Sequence, residues 1–459
     1  MLGKLILPDY ESLIENKEWQ ALRDAFSELD APDLAEILED LPADKMAILF
    51  RLMPRDQASA AFEYLPIDQQ TQLVQTLAGE QLAAILNEMA PDDRTRLFEE
   101  LPAEVTKRIL STLSPSELRI ARQLLGYPEN SAGRFMTPEY MAIRPTMTAA
   151  EALGYIRVHG KDRETLNVVY VTDEKGRLLE DLKLASLVLA DPGAKVSELS
   201  ERELVSIPAT MDREDVVKLF EKYDRVALPV TDTRGVLLGI ITGDDVLDIA
   251  TQEATEDIQK LGGMEALDAP YLDIGLLQMI KKRGVWLAVL FVGEMFTATA
   301  MSHYEHEIAR AVVLALFVPL IISSGGNSGS QATSLIIRSL ALGELNLRDW
   351  WRVAVKEILS GIALGSLLGC IGLTRILLWP TRNTVYGPHF LVIAITVAIS
   401  LVGVVTFGTV AGSMLPFLLR RLGLDPATAS APAVATLVDV TGLVIYFSVA
   451  SVVLKGILL

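Results

Sequence analysis

The chain has 459 residues, but almost no cysteine and little histidine. Cys370 is its one cysteine, and only four histidines are present. An intrachain disulfide is therefore impossible, and zinc sites built from thiolate clusters are excluded. The carboxylates, amides and hydroxyls that remain as candidate ligands suit hard divalent cations.

Positive charge is scarce in the first 275 residues. This part holds 51 acidic and 28 basic residues, a net charge of −23, whereas the remainder holds 8 acidic and 13 basic residues, a net charge of +5. Such an acidic region attracts cations and disfavours nucleic acid as a partner. Length and charge together predict several domains, with a soluble acidic part followed by a membrane part.

Pairs of an apolar or small residue and a proline recur every eleven to thirteen residues near the start of the chain. LP occurs at 41, 65 and 101, MP at 53, AP at 90 and SP at 114, each before a helical apolar pattern. Proline is favoured in the first turn of a helix. Residues 1–130 are therefore predicted to form an acidic N-terminal α-helical solenoid of short stacked helices.

Two similar α/β modules are predicted for residues 131–198 and 199–250. Each combines helices with apolar strands bounded by turn signals such as TDEKGR and TDTRG. The pattern resembles a tandem pair of CBS domains, a family whose members commonly bind adenine nucleotides or sense ions. In GIITGDD, Thr242 and Asp245 match the family's nucleotide-binding positions, although the same residues also fit a helix cap.

An acidic connecting helix is predicted for residues 251–280. Glu253, Glu256 and Asp257 lie three or four residues apart, and like charges at this spacing destabilise a helix unless a cation lies between them. A solvated acidic face is the alternative interpretation.

Residues 281–459 contain five apolar runs, each long enough to cross a bilayer. The predicted spans of this all-α transmembrane domain are 284–304, 311–336, 353–378, 389–418 and 431–456. Basic residues precede the first span and follow the second and fourth. By the positive-inside rule, the N-terminus is cytoplasmic and the C-terminus lies outside.

The last span carries a full charge, Asp439, within an apolar sequence. Thr436 and Gly442 lie three residues to either side and share its helical face. No lysine or arginine lies deep in any span, so a mobile cation or a proton is the expected partner. The alternative is a protonated aspartate that is hydrogen-bonded to a neighbouring helix.

The second span contains the polar run SSGGNSGSQ. Gly325 and Gly326 weaken the helix there, while Asn327 and Gln331 lie one turn apart on one face. Polar side chains at membrane depth are tolerated where they are buried in protein or line water. Together with Asp439, this run predicts a pore built of oxygen ligands.

The whole chain closely resembles MgtE-type magnesium channels. The resemblance rests on the order of domains, on VPLIISSGGNSGSQ in the second span and on LDPATASAPAVATLVDVTGLVIYF, which runs into the fifth. It implies a bacterial inner-membrane homodimer with a pore on its two-fold axis, in which Asp439 holds hydrated Mg²⁺ near Asn327. It also implies that cytosolic Mg²⁺ closes the channel by bridging acidic cytoplasmic residues, and that ATP is a further ligand of the CBS domains.

The implied regulatory ligands are Glu214, Asp224, Asp245, Glu253, Glu256 and Asp257. The resemblance also implies that Glu305, in the HYEHE segment, lies at the outer mouth of the pore.

Two other functions are compatible with the residues. One is a carrier that exchanges a divalent cation for protons, in which Glu294 of the first span could take part; the other is a membrane sensor of magnesium or nucleotide that does not conduct. No nucleophile constellation or phosphate-binding glycine-rich loop indicates an enzyme, and HYEHE is not the HExxH of metalloproteases.

Overall fold

The computed structural model describes residues 10–457, apart from 11, 15, 27–28, 78, 162, 200–202, 268–270 and 273. Its contacts divide the chain into two compact units, one ending at Thr251 and the other beginning at Gln252.

The first unit begins with a series of short helices that confirm the predicted solenoid. Their bounds are α1 Trp19–Phe26, α2 Ala31–Glu39, α3 Ala43–Leu52, α4 Arg55–Glu63, α5 Ile67–Thr76, α6 Gly79–Glu88, α7 Pro91–Glu100, α8 Ala103–Leu110 and α9 Pro115–Leu124. Helices two apart in the chain pack together in most cases: α1 on α3, α2 on α4, α3 on α5, α4 on α6, α5 on α7 and α7 on α9. Their apolar faces form one continuous core.

The recurrent prolines lie at the helix starts, in two slightly different positions. Pro91 and Pro115 are the first residues of α7 and α9. Pro42, Pro54 and Pro66 instead occupy the capping position before their helices, with φ between −59° and −53°. Either position uses a residue without an N–H at a point where the helix has no acceptor for one.

The two α/β modules share one topology. Their elements are α10 Ala132–Phe135, β1 Ala142–Ile143, α11 Ala149–His159, β2 Val168–Thr172, β3 Leu178–Lys183, α12 Leu184–Leu189, β4 Ile207–Pro208, α13 Arg213–Tyr223, β5 Ala227–Thr231, β6 Leu237–Thr242 and α14 Gly243–Leu261. In each module the first strand is parallel to the second, which pairs with the third in antiparallel orientation. The predicted internal repeat is thus present.

The connecting segment is helical over only part of the predicted range 251–280. Helix α14 ends at Leu261, and the next helix begins at Leu276. Gly263 has a φ of +73°, a left-handed conformation that ends a helix and that glycine adopts without strain.

The second unit contains five helices that are long and apolar enough to cross a membrane. Its helices are α15 Leu276–His303, α16 Glu305–Arg310, α17 Val318–Ala341, α18 Trp350–Leu378, α19 Arg382–Val385, α20 Phe390–Arg421 and α21 Ala431–Val453. Helix α20 packs on α17, α18 and α21, while α15 packs on α21. The five predicted spans are confirmed as α15, α17, α18, α20 and α21.

Glycines bring α17 and α20 into backbone contact. A Cβ added at Gly408 would collide with the carbonyl oxygen of Gly325, and one added at Gly412 would collide with that of Gly329. Such close approach of small residues drives helix association in lipid. It also fixes α17, which carries the polar run, against the centre of the unit.

We expect Gly412→Ala to destabilise the transmembrane unit, because the new methyl group forces α17 and α20 apart. Overpacking of this kind costs about 1–3 kcal/mol, measurable as earlier thermal unfolding of the detergent-solubilised protein. Gly372→Ala is the matched control, since its Cβ would meet only ordinary contacts at 3.5 and 3.7 Å. Equal stability of the two variants would contradict the packing argument.

Candidate ion pathway and cation-binding residues

Helix α17 has a stripe of exposed polar side chains along one face. Ser323, Asn327, Gln331 and Ser334 are exposed there, each three or four residues from the next. The Asn327 amide donates to the Ser323 hydroxyl at 3.5 Å. Because unpaired polar groups are costly against hydrocarbon, this stripe must face water or another protein surface.

Asp439 lies at the same depth as the glycines of this run. Its neighbour Val438 packs on α17, where a Cβ at Gly325 would be 2.8 Å from the Val438 Cγ1. Asp439 itself is partly buried. Among the described residues, no lysine or arginine forms an ion pair with it.

Glu294 of α15 is the direct partner of Asp439. The two carboxyl groups interact electrostatically, so a shared proton or a bound cation would relieve the repulsion between them. The contact depends on Gly293, since a Cβ there would lie 2.9 Å from the Thr436 methyl group. The sequence analysis considered Glu294 only for a proton-exchanging carrier and did not place it beside Asp439, because periodicity within one helix does not reveal its neighbour in another.

The other residues predicted to line the pore lie in different surroundings. Gln331 is exposed, and Thr436 faces α15. Three of the predicted residues, Gly325, Gly326 and Gly442, pack against neighbouring helices of the chain. A Cβ at Gly442, for example, would lie 3.2 Å from the Val404 side chain. Their part in a pore stays a prediction.

A cluster of carboxyl groups lies in the first unit, between α7 and the start of α14. Asp92 is buried and interacts with Asp245, whose Oδ2 accepts a hydrogen bond of 2.6 Å from the Thr242 hydroxyl. Asp93 and Glu164 also interact electrostatically with Asp245. Of these residues, the sequence analysis identified only Asp245 and Thr242. The adjacent aspartates of PDDRT, at a helix start, were the sequence feature that could have pointed to Asp92 and Asp93.

Burial and mutual repulsion raise the pKa values of these carboxyl groups. Burial, followed by the charges of Asp245 and Asp93, raises the pKa of Asp92. Burial and Asp245 raise the pKa of Asp93 to about 6 and that of Glu164 to about 7. In the described part of the chain, no three such groups are arranged as a ready metal site. A cation here would therefore keep much of its water, as Mg²⁺ commonly does.

Near the end of α14, a lysine ammonium lies between two carboxylates. Lys260 Nζ lies 2.6 Å from Glu256 Oε1 and 2.6 Å from Asp425 Oδ2 in the loop before α21. Partial burial lowers the pKa of Lys260, but the bonds to Asp425 and Glu256 outweigh it and raise the pKa. Glu256, predicted as a metal ligand, is thus paired with a lysine. Glu253 and Asp257 lie on the same helix, within one turn of Glu256.

The remaining predicted ligands are separate from this cluster. Glu214 Oε1 is 2.8 Å from Lys218 Nζ in the first turn of α13, and Asp224 caps the other end of that helix with a φ of +52°. Glu305 is exposed at the start of α16. A cavity of about 750 Å³ lies beside Asp224 and is lined by Asn167, Lys183 and Val226 among others. Thr242 and Asp245 are not among its lining residues.

Comparison with known proteins gives consistent matches along the chain. Residues 29–130 match the family model described as MgtE intracellular N domain, residues 196–251 match the CBS domain, and residues 318–449 match the model described as divalent cation transporter. The chain is 42% identical to the magnesium transporter MgtE of Thermus thermophilus over 75% of each chain. It is 31% identical to that of Enterococcus faecalis over 73% of this chain and 71% of the relative.

One solved structure supports the arrangement of the first unit. The cytosolic domain of the Mg²⁺ channel MgtE in complex with ATP is 34% identical and superposes with a TM-score of 0.51. The match covers 53% of this chain and 99% of that domain.

The carboxyl cluster predicts a specific pH dependence when divalent cations are absent. A carboxyl group whose pKa is higher in the folded state destabilises the fold as it ionises, so stability falls between pH 4 and about 7. We therefore expect acidification from pH 7.5 to 5.5 in EDTA to raise the protection factors of the Asp92–Glu100 amides in the full-length protein, that is, to slow their exchange relative to the intrinsic rate at each pH. Mg²⁺ at pH 7.5 is expected to have the same effect.

The double variant Asp93→Asn/Asp245→Asn is the comparison, because it removes the repulsion without acid or metal. Its protection factors at pH 7.5 should already be high and should respond little to either addition. A variant that responds as strongly as the wild type would show that other groups are responsible.

Proposed function

The chain belongs to the MgtE family of magnesium transporters, and on that premise we propose that it is a magnesium-selective, magnesium-gated channel for Mg²⁺ uptake. The observation that carries the proposal is the exposed polar stripe of α17 beside Asp439. A protomer alone would present amides and hydroxyls to lipid, which is costly. Two copies related by a two-fold axis turn both stripes toward a shared aqueous path.

In this pore, Asp439 holds the permeating ion. Mg²⁺ loses water reluctantly and is usually bound by one or two carboxylates with several waters retained. One aspartate from each of two chains meets that requirement. Asn327 and Gln331 accept or donate hydrogen bonds to the ion's waters further along the stripe.

Cytosolic Mg²⁺ closes the channel by cancelling repulsion between carboxylates. The cluster of Asp92, Asp93 and Asp245 is strained by like charges when it is ionised. Bound Mg²⁺ relieves this strain and favours the compact cytoplasmic arrangement, while at low Mg²⁺ the ionised groups separate. Glu253, Glu256 and Asp257 transmit the change along α14, which leads toward the pore unit.

The CBS modules bind an adenine nucleotide as a second ligand. The cavity beside Asp224 has room for one, and Lys183 supplies a positive charge at its edge. The relative that was solved with ATP supports this assignment.

A proton-coupled carrier is the second candidate, and one observation favours it. Glu294 and Asp439 interact at the position assigned to the ion, and a proton shared by the two carboxyl groups would occupy that position when no cation is bound. A divalent cation that displaced this proton would move a proton for each ion bound.

We expect Asp439→Asn to reduce Mg²⁺ flux into proteoliposomes by at least about tenfold, because the only charge at the assigned ion position in its span is lost. Glu357→Gln is the control, since it removes a carboxylate from α18 instead. Flux in the wild type should be unaffected by an imposed proton gradient. Proton-driven flux would identify the carrier, and flux unaffected by Asp439→Asn would overturn the pore assignment.

The gate is tested by the triple variant Glu253→Gln/Glu256→Gln/Asp257→Asn. Because these carboxylates would no longer transmit Mg²⁺ binding along α14, we expect half-inhibition of flux to need at least about tenfold more Mg²⁺ on that face. The control neutralises three exposed carboxylates elsewhere, Glu104, Glu129 and Glu221. Equal Mg²⁺ sensitivity of both triple variants would remove α14 from the gate.

A further inference from the structure

An open cavity of about 690 Å³ lies within the second unit, where the end of α14 meets the start of α15. Neither the channel nor its gate, as proposed above, uses it. One wall comes from α14 and the turn after it. The other comes from the first turns of α15, and the lining residues include Met264, Leu267, Tyr271, Met279, Arg283 and Leu287.

The wall contributed by α15 changes from charged to apolar across the membrane boundary. Met279, Arg283 and Leu287 are spaced four residues apart and therefore share one face of the helix. Arg283 directly precedes the apolar run of the first span. At 1.5 Å per residue, Leu287 lies about 6 Å deeper than Arg283. The cavity thus extends from the headgroup level into the hydrocarbon.

The charge at its mouth is positive. Among the described residues, Arg283 has no carboxylate partner, whereas the neighbouring Lys282 ammonium donates to the Ala266 carbonyl. Lys281 is exposed. The basic loops place this end of α15 on the cytoplasmic side, where the leaflet carries anionic lipids and basic pockets between helices bind their headgroups.

We propose that this cavity is a binding site for an anionic phospholipid of the cytoplasmic leaflet. The phosphodiester accepts hydrogen bonds from the Arg283 guanidinium, which suits phosphate oxygens. One acyl chain lies along Leu287, on the hydrocarbon side of Arg283, while Met279 lines the cavity on the cytoplasmic side. The apolar lining distinguishes this ligand from free phosphate, which would gain nothing from methionine and leucine side chains.

The site would join the gate helix to the pore unit through a lipid. A phospholipid seated between Gln259 of α14 and Leu287 of α15 contacts both elements at once. Its binding depends on the chain crossing a membrane and not on whether the chain conducts. A failure of transport and a failure of lipid binding are therefore separate results.

The test is lipid binding to the detergent-solubilised full-length protein, measured by native mass spectrometry with phosphatidylglycerol and with phosphatidylcholine. We expect Arg283→Gln to weaken phosphatidylglycerol binding by at least about fivefold. Lys281→Gln removes the same charge from the neighbouring surface outside the cavity, and should weaken it much less. Phosphatidylcholine should bind more weakly than phosphatidylglycerol to the wild type.

A second measurement locates the lipid without altering the site. The Trp286 indole packs against Gly263 of the cavity wall, so brominated phosphatidylglycerol should quench its emission, identified by difference from Trp286→Phe. Equal effects of the two charge variants, or no quenching of Trp286, would overturn the proposal. So would full competition by glycerol 3-phosphate, which indicates a soluble phosphate ligand, or a second copy of the chain cross-linked into the cavity.

Discussion

The structure depends on carboxyl groups that lie close together in poorly solvated places without a fixed cation. Asp439 and Glu294 meet within the transmembrane helices, and Asp92 meets Asp245 between the solenoid and the second α/β module. Such groups cannot all remain ionised alone, so each needs a proton or a mobile cation. Both units therefore contain carboxyl groups whose charge must be balanced by a proton or a cation, although the units share no fold.

Lys260 forms an ion-pair contact within the second unit. Its ammonium bridges Glu256 and Asp425, a link that needs no dissolved ion. In the described part of the chain, no lysine pairs with Asp439 or with Asp92, so on the proposed function these carboxyl groups stay available to a dissolved ion. An ion that leaves and returns can report its own concentration, whereas a tethered ammonium cannot.

The helix contacts that hold Asp439 in place depend on residues without side chains. Gly408 and Gly412 let α20 touch the backbone of α17, and Gly293 lets α15 reach Thr436. In lipid there is no hydrophobic drive to bring such helices together, so close packing supplies the contact energy. The two carboxyl groups meet because small residues beside them allow it.

Sequence alone determined the order of the domains and the five apolar helices, and it singled out Asp439 as an isolated charge, because apolar length, proline spacing and an isolated charge are local properties. It also singled out Thr242 and Asp245. It overextended the connecting helix, which ends before Gly263, and it missed Asp92, Asp93, Asp425 and the partner role of Glu294. Only the tertiary structure could decide these, since they are contacts between residues as much as 165 positions apart, and no periodicity within one helix specifies which neighbour it will meet.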